Sequence, residues 1–218
     1  MNHQPLTLAR QARDRVLSEL GITGVTWSAG EDHVTAATDG TPGYLLVRNK
    51  DEHGRPLAFA YAGATPEADG SNVFVDVNRM KQSVNYKLIE AGLAYPFYFT
   101  NGALFTDLRN AITSAVLVAR AAGLGIHADD GTTAGVDVTS TTVLTDDVPL
   151  FPRLFRRLAE FLEGDPVDLT NFTDFLAAGD TRVIVQSPFG ETGFDNLVEV
   201  VGNTVRMTQE PENLLFIN

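Results

Sequence analysis

Tyr44-Leu45-Leu46-Val47-Arg48-Asn49-Lys50-Asp51-Glu52-His53-Gly54-Arg55-Pro56-Leu57-Ala58-Phe59-Ala60-Tyr61 is the stretch whose pattern decides the fold. Two short apolar runs, 44–48 and 57–61, flank a polar link that contains Gly54. Strand-forming residues on either side of such a link read as a β-hairpin.

Upstream, residues 6–20 read as an amphipathic helix. Leu8 or Ala9, Ala12, Val16 and Leu20 fall on one side, Arg10, Arg13 and Asp14 on the other, and Gly21 is a stop signal. Segments 24–28 and 33–37 are short strand candidates, and Thr41-Pro42-Gly43 is a turn. Downstream, 63–72 is a loop, 73–77 a short strand, and 78–92 a helix carrying Met80, Val84, Leu88 and Ala91 before Gly92. Tyr95-Pro96-Phe97-Tyr98-Phe99 is an extended aromatic segment. Residues 104–122 form the strongest helix, with a stripe through Leu104, Leu108, Ile112, Ala115, Val116 and Ala119, closed by Gly123 and Gly125.

Residues 130–148 are rich in Thr, Asp and Gly without a helical period, which marks a boundary. Beyond it, 151–162 is amphipathic, and Thr170 is placed to cap a short helix bearing Phe172, Phe175 and Leu176. Segments 182–186, 196–201, 203–208 and 213–217 read as strands, with Gly202-Asn203 turning the middle pair. No internal repeat is present.

The chain has 218 residues, 16 Lys+Arg against 28 Asp+Glu, and no cysteine. Disulfides, thiolate metal sites and cysteine nucleophiles are therefore excluded. No apolar run approaches the ~20 residues of a membrane helix, and the N-terminal residues lack the basic flank and apolar core of a secretory signal. A soluble cytoplasmic protein without membrane association is the expectation. The net charge of −12 is uneven: residues 1–130 hold 11 basic and 14 acidic groups, residues 131–218 hold 5 and 14. A nucleic-acid binder normally presents a basic face, so the second part is a poor candidate for that role.

The hairpin link, Asp51-Glu52-His53-Gly54-Arg55-Pro56-Leu57-Ala58, resembles the D-x-[YH]-G-R-x-L-[AG] signature of the staphylococcal nuclease-like (thermonuclease) family. Val84-Asn85-Tyr86-Lys87-Leu88-Ile89-Glu90-Ala91-Gly92-Leu93-Ala94 is similar to that family's V-N-x-x-L-[IV]-x-x-G-L-A helix. Gly123-Leu124-Gly125-Ile126-His127 resembles its closing G-[IL]-W, with His127 where Trp is usual. The likeness covers roughly residues 6–130, and the remainder resembles the C-terminal extension of a bacterial subset, through Phe151-Pro152-Arg153-Leu154-Phe155-Arg156-Arg157-Leu158 and Gly193-Phe194-Asp195.

The resemblance implies an OB-fold-like barrel and phosphodiester hydrolysis by Ca2+, a carboxylate base and two guanidinium groups that stabilise a developing negative charge. In the family three strands precede the first helix and supply the D-G-D carboxylate and the R-[LV]-x-G-[IV]-D-x-x-E segment. Only five residues precede Leu6 here, and neither motif occurs elsewhere in the expected context. Of the catalytic set only Arg55 maps, as an inherited catalytic position. Tyr98 falls near a substrate-contacting tyrosine of the family, and Thr100 stands where a second tyrosine is expected.

The other chemistry-bearing residues carry less. His3, His33, His53 and His127 show no metal-ligand spacing. Asp129, Asp130, Asp146 and Asp147 fall in loops, and Arg153, Arg156 and Arg157 read as a solvated basic cluster on a helix. No metal site is expected from the residues present.

The expected architecture is α+β: residues 1–130 an incomplete OB-fold-like, nuclease-like barrel lacking its first three strands, 131–148 a linker, and 149–218 a small α+β domain. An open barrel edge calls for cover. That cover could come from strands of another chain or from upstream sequence, from a rebuilt sheet using 24–28 and 33–37, or from a homodimer. The expected function is that of a catalytically degenerate nuclease-like protein serving as a structural or binding component, with no cofactor. The alternative is a Ca2+-dependent endonuclease on DNA or RNA, completed by an N-terminal segment or a partner chain. A third reading places an interaction function in 145–218.

Overall fold

The computed structural model describes residues 3–38, 40–51, 53–100, 104–162 and 167–217. The chain opens with helix α1 (Leu6–Glu19), which ends close to the expected stop at Gly21. No residue of α1 is fully buried, so it lies on the surface of the fold. A salt bridge of 2.6 Å from Lys87 to Glu19 ties its end to the body.

Strands β1 (Thr26–Trp27) and β2 (Val34–Ala36) pair only with each other. The notion that 24–28 and 33–37 rebuild a sheet beside the main hairpin is therefore corrected. Their ribbon leans on α1 instead, with the Arg13 guanidinium 4.1 Å from the Trp27 ring centroid and Arg10 and Arg13 both bridging Glu31.

The main hairpin forms as expected, with β3 (Gly43–Lys50) antiparallel to β4 (Pro56–Ala62). Tyr44 opposes Tyr61, with rings stacked at 4.8 Å, and Leu46 opposes Phe59. A bulge lies between Val47 and Asn49. Bulges bend and twist a strand locally.

Two expectations fail in the next segment for one reason. Residues 73–76 form no strand, and the expected single helix 78–92 is two: α2 (Val77–Lys81) and α3 (Val84–Glu90). Asp76 accepts a hydrogen bond from the Arg79 N–H at 2.8 Å and starts α2. Ser83 then interrupts, accepting from the Tyr86 N–H at 3.2 Å while donating to the Met80 carbonyl at 2.6 Å. Short polar side chains compete with the helical ladder in this way.

After β5 (Tyr98–Phe99) comes α4 (Thr106–Ala121), which buries Leu108, Ile112, Ala115, Val116 and Ala119, the stripe expected from the sequence. It packs with Met80, Tyr86, Ile89 and Tyr98 in one core.

The second core is built from 136 onward. Helix α5 (Gly131–Ala134) and strand β6 (Val136–Asp137) lead into a π turn at Val143–Asp147. Val136, Val138 and Leu144 of this stretch are buried in that core, and the buried Thr132 hydroxyl accepts from the Phe151 N–H at 2.8 Å. Helix α6 (Pro152–Phe161) buries Leu154 and Leu158. Helix α7 (Phe172–Ala178) buries Phe172 and Leu176, but Thr170 does not cap it; Thr170 is held by Asp168 at 2.6 Å.

Strands β7 (Arg182–Gln186), β8 (Phe189–Gly193), β9 (Val198–Val201), β10 (Thr204–Met207) and β11 (Leu214–Phe216) complete two sheets. Their orders are β6-β10-β9 and β5-β11-β7-β8. The fold is thus mixed α+β with open sheets, and no sheet closes into a barrel among the described residues.

β11 joins the two cores. It pairs antiparallel with β7 and parallel with β5, where Leu215 meets Tyr98 and Phe216 meets Phe99. Side chains alternate across a strand, so Leu214 and Phe216 enter the second core and Leu215 the first.

The ends of α3 and α4 meet backbone to backbone. The Ile126 N–H donates to the Gly92 carbonyl at 2.8 Å. A Cβ on Gly92 would overlap the Leu124 carbonyl, and one on Gly125 the Gly92 carbonyl; both residues have positive φ, +65° and +54°. Gly92→Ala adds both a left-handed penalty and an overlap, an expected loss of about 2–5 kcal/mol. Urea unfolding checks this; Gly63→Ala has positive φ but open space around its Cβ, so it should lose only the conformational part.

Candidate functional site

Arg55 stands in the hairpin turn, where Asp51 organises the backbone. One Asp51 carboxylate oxygen accepts from the His53 N–H at 2.9 Å and the Arg55 N–H at 2.8 Å; the other accepts from Arg55 Nε at 2.5 Å. Desolvation alone would raise the Asp51 pKa, but the bonds to Arg55 and His53 outweigh it and hold the carboxyl below its ordinary range. Arg55 is 73% exposed along its side chain. The turn therefore fixes the backbone and one edge of the guanidinium, and aims the rest at solvent.

Tyr98 lies elsewhere, on β5, buried in the first core. Burial, then Glu212, raises its pKa, with Arg109 opposing. Its ring lines the groove described below, whereas Arg55 is not part of that lining. The two sequence-derived site residues are not brought together in one cavity.

The described residues do not assemble a Ca2+ site. Among the described residues no group of three or more His, Asp or Glu side chains is placed to hold an ion. Asp51 is engaged by its own turn, and Asp130 accepts from the Thr132 N–H at 2.9 Å as the cap of α5. Arg153 and Arg157 of the basic cluster turn to separate partners, the Thr181 hydroxyl at 3.0 Å and Glu160 at 2.7 Å.

One surface feature is not revealed by sequence patterns. Between the hairpin and helices α3 and α4 runs a groove of about 620 Å3. Leu46, Phe59, Phe74, Phe97, Phe99 and Phe105 line it, over Leu108 and Ile112. Phe74 is 73% exposed and Phe105 52%. β3 exposes further apolar surface, with Leu45 56% and Val47 58% exposed. Contiguous exposed apolar surface of this kind is uncommon on monomeric soluble proteins.

The two edges of the hairpin differ. On β4, the Ala60 N–H donates to Asn85 Oδ1 at 2.9 Å and Asn85 Nδ2 donates to the Ala58 carbonyl at 3.2 Å. One side-chain amide thus takes the place of a neighbouring strand. In an antiparallel pair, facing residues alternate between exchanging bonds and pointing outward. Since Ala60 and Ala58 point outward, so do their partners Leu45 and Val47. Their N–H and C=O groups lie on the outer edge of β3, which pairs with no strand among the described residues.

At the junction of the cores, Arg120 of α4 grips Glu212 with two bonds, 2.7 and 3.0 Å, and Glu210 at 2.9 Å. His127 is buried beside them, edge-on to Tyr95 at 6.3 Å, with Nδ1 4.0 Å from Asp130. Burial lowers its pKa, as does Arg120, while Asp130 and Glu212 oppose.

Compared with known protein families, curated proteins and solved structures, the chain matches none. Among the described residues no single helix is long and apolar enough to cross a membrane.

His127 gives the junction a defined pH response. Its folded pKa lies below its ordinary value of 6.5, so below that pH the unfolded chain binds the proton more readily. Stability is full above 6.5 and falls as pH drops toward the folded pKa. Glu210, raised chiefly by burial, works in the opposite sense. Urea unfolding at pH 7 and pH 5.5 should show the wild type losing more stability than His127→Phe, which keeps the ring contact without the titration.

Proposed function

We propose that this chain is a nuclease-like protein without a catalytic constellation of its own, acting as a structural or binding component. In this reading the hairpin, α3 and α4 belong to an OB-fold-like barrel that is open where further strands would close it. A protein partner or a second copy of the chain covers that opening. A cytoplasmic setting belongs to the same proposal, in keeping with a cysteine-free composition.

The observation that carries the reading is the open β3 edge beside an apolar groove, with Arg55 held by its own turn and, among the described residues, no group of three or more His, Asp or Glu side chains placed to hold an ion. A lone guanidinium can stabilise charge but neither activates water nor positions a phosphate. Loss of a general base alone costs roughly 10²–10⁴ in rate.

A second reading is a Ca2+-dependent endonuclease on DNA or RNA whose carboxylates come from an upstream segment or a partner. The exposure of Arg55 favours it, since its guanidinium remains reachable. The purified chain should leave single-stranded DNA and RNA intact with Ca2+ or EDTA, as should Arg55→Ala. Cleavage that needs both Ca2+ and Arg55 would overturn the binding-component proposal.

A further inference from the structure

The opening has a chemistry more specific than its shape. Leu45 and Val47 present outward N–H and C=O groups on one side of β3. A peptide in extended conformation satisfies such groups by adding a strand. Natural edge strands are usually protected by charge or proline. Along 43–47 the edge carries neither, and its charges begin only at Arg48 and Lys50.

The groove defines the side chains such a strand would carry. β3 spans eight residues, so an added strand of matching length runs roughly 26 Å. Alternate side chains of that strand would face the aromatic wall formed by Phe59, Phe74, Phe97 and Phe105. These positions favour aliphatic residues, and the intervening positions need not be apolar.

Charge fixes the orientation. Arg48 sits with its guanidinium carbon 5.3 Å from the Phe105 ring centroid, at the end of the groove, and Lys50 follows on the same strand. Arg55 is paired with Asp51, so Arg48 and Lys50 supply the positive charge along this end of β3, on a chain of net charge −12. An incoming strand with acidic residues at that end is attracted. A second copy of the chain brings its own excess of negative charge and meets general repulsion.

Resting on the binding-component reading, we infer that the open edge of β3 receives an extended segment of a partner protein, with aliphatic side chains at alternate positions and acidic residues beside Arg48 and Lys50. Antiparallel addition places the acidic end at the N-terminus of the segment, because β3 runs toward Lys50.

The probe is a fluorescein-labelled peptide, Glu-Glu-Val-Thr-Leu-Thr-Val-Thr-Gly, titrated with the full chain and read by anisotropy. The comparison peptide has the same composition with Val, Leu and Val made consecutive. Two variants test the two recognition elements. Leu45→Pro removes an outward N–H without touching the bonds to β4, a position where an edge strand tolerates proline. Arg48→Glu with Lys50→Glu reverses the basic end and leaves the backbone alone.

Saturable binding is expected, with the alternating peptide preferred. Leu45→Pro should weaken it at least about tenfold, and the charge reversal should weaken it and invert its response to salt, since added salt then screens a repulsion instead of an attraction. If circular dichroism shows Leu45→Pro unfolded, the charge-reversed chain and the comparison peptide decide. Equal binding of both peptides, or no saturable binding by a chain that is also inert toward nucleic acid, overturns the strand inference alone. A dimer in light scattering that Leu45→Pro dissociates overturns the choice of occupant. Ca2+-dependent, Arg55-dependent cleavage would count instead against the reading on which the inference rests.

Discussion

A strand's backbone groups must be paired or left to water, and the hairpin β3–β4 meets that demand differently on its two edges. Asn85 holds β4 with one donor and one acceptor, as a neighbouring strand would. This bond pair docks the hairpin onto the first turn of α3 and fixes which residues of β3 point outward. The groove lies between the hairpin held in this way and helices α3 and α4. Ser83 matters for the same reason: by ending one helix and starting the next, it sets Asn85 at the start of α3.

The rest of the molecule holds this arrangement rigid from behind. The Gly92–Gly125 contact lets the ends of α3 and α4 approach more closely than any side chain would permit. β11 binds the first core to the second through Tyr98 and Phe99, and Arg120 locks α4 to Glu210 and Glu212. Glu212 is almost wholly buried against Arg120. Removing one partner of such a pair is far more costly than the pair's net contribution. Tyr98 is buried within this frame and also lines the groove.

The sequence made legible what is governed by local pattern. The hairpin followed from two apolar runs around Gly54, and α4 from a five-residue buried stripe at helical spacing. The mixed α+β class followed from the order of elements. What escaped depends on competition or on distance. Ser83 reads as an ordinary helix residue until its hydroxyl is seen to bond Met80 and Tyr86. Thr170 offered a plausible cap but is engaged by Asp168. β8 escaped because Phe-Gly-Glu-Thr-Gly lacks the apolar alternation of a strand. At the candidate site, Arg55 and its turn were legible as a motif, whereas the role of Asn85 was not. Its partners lie 25 and 27 residues away, and no local periodicity encodes them. The groove is likewise assembled from segments distant in the chain, from Leu46 to Ile112.

The central claim is the asymmetry of the hairpin, and amide hydrogen exchange of the isolated, dilute chain reads it residue by residue. The account predicts an alternation along β3: Leu45 and Val47 exchange rapidly, their neighbours Tyr44 and Leu46 slowly, and Ala60 on β4 is protected by Asn85. Protection of Leu45 and Val47 equal to that of Leu46 would mean that the outer edge is already paired, and would contradict the account.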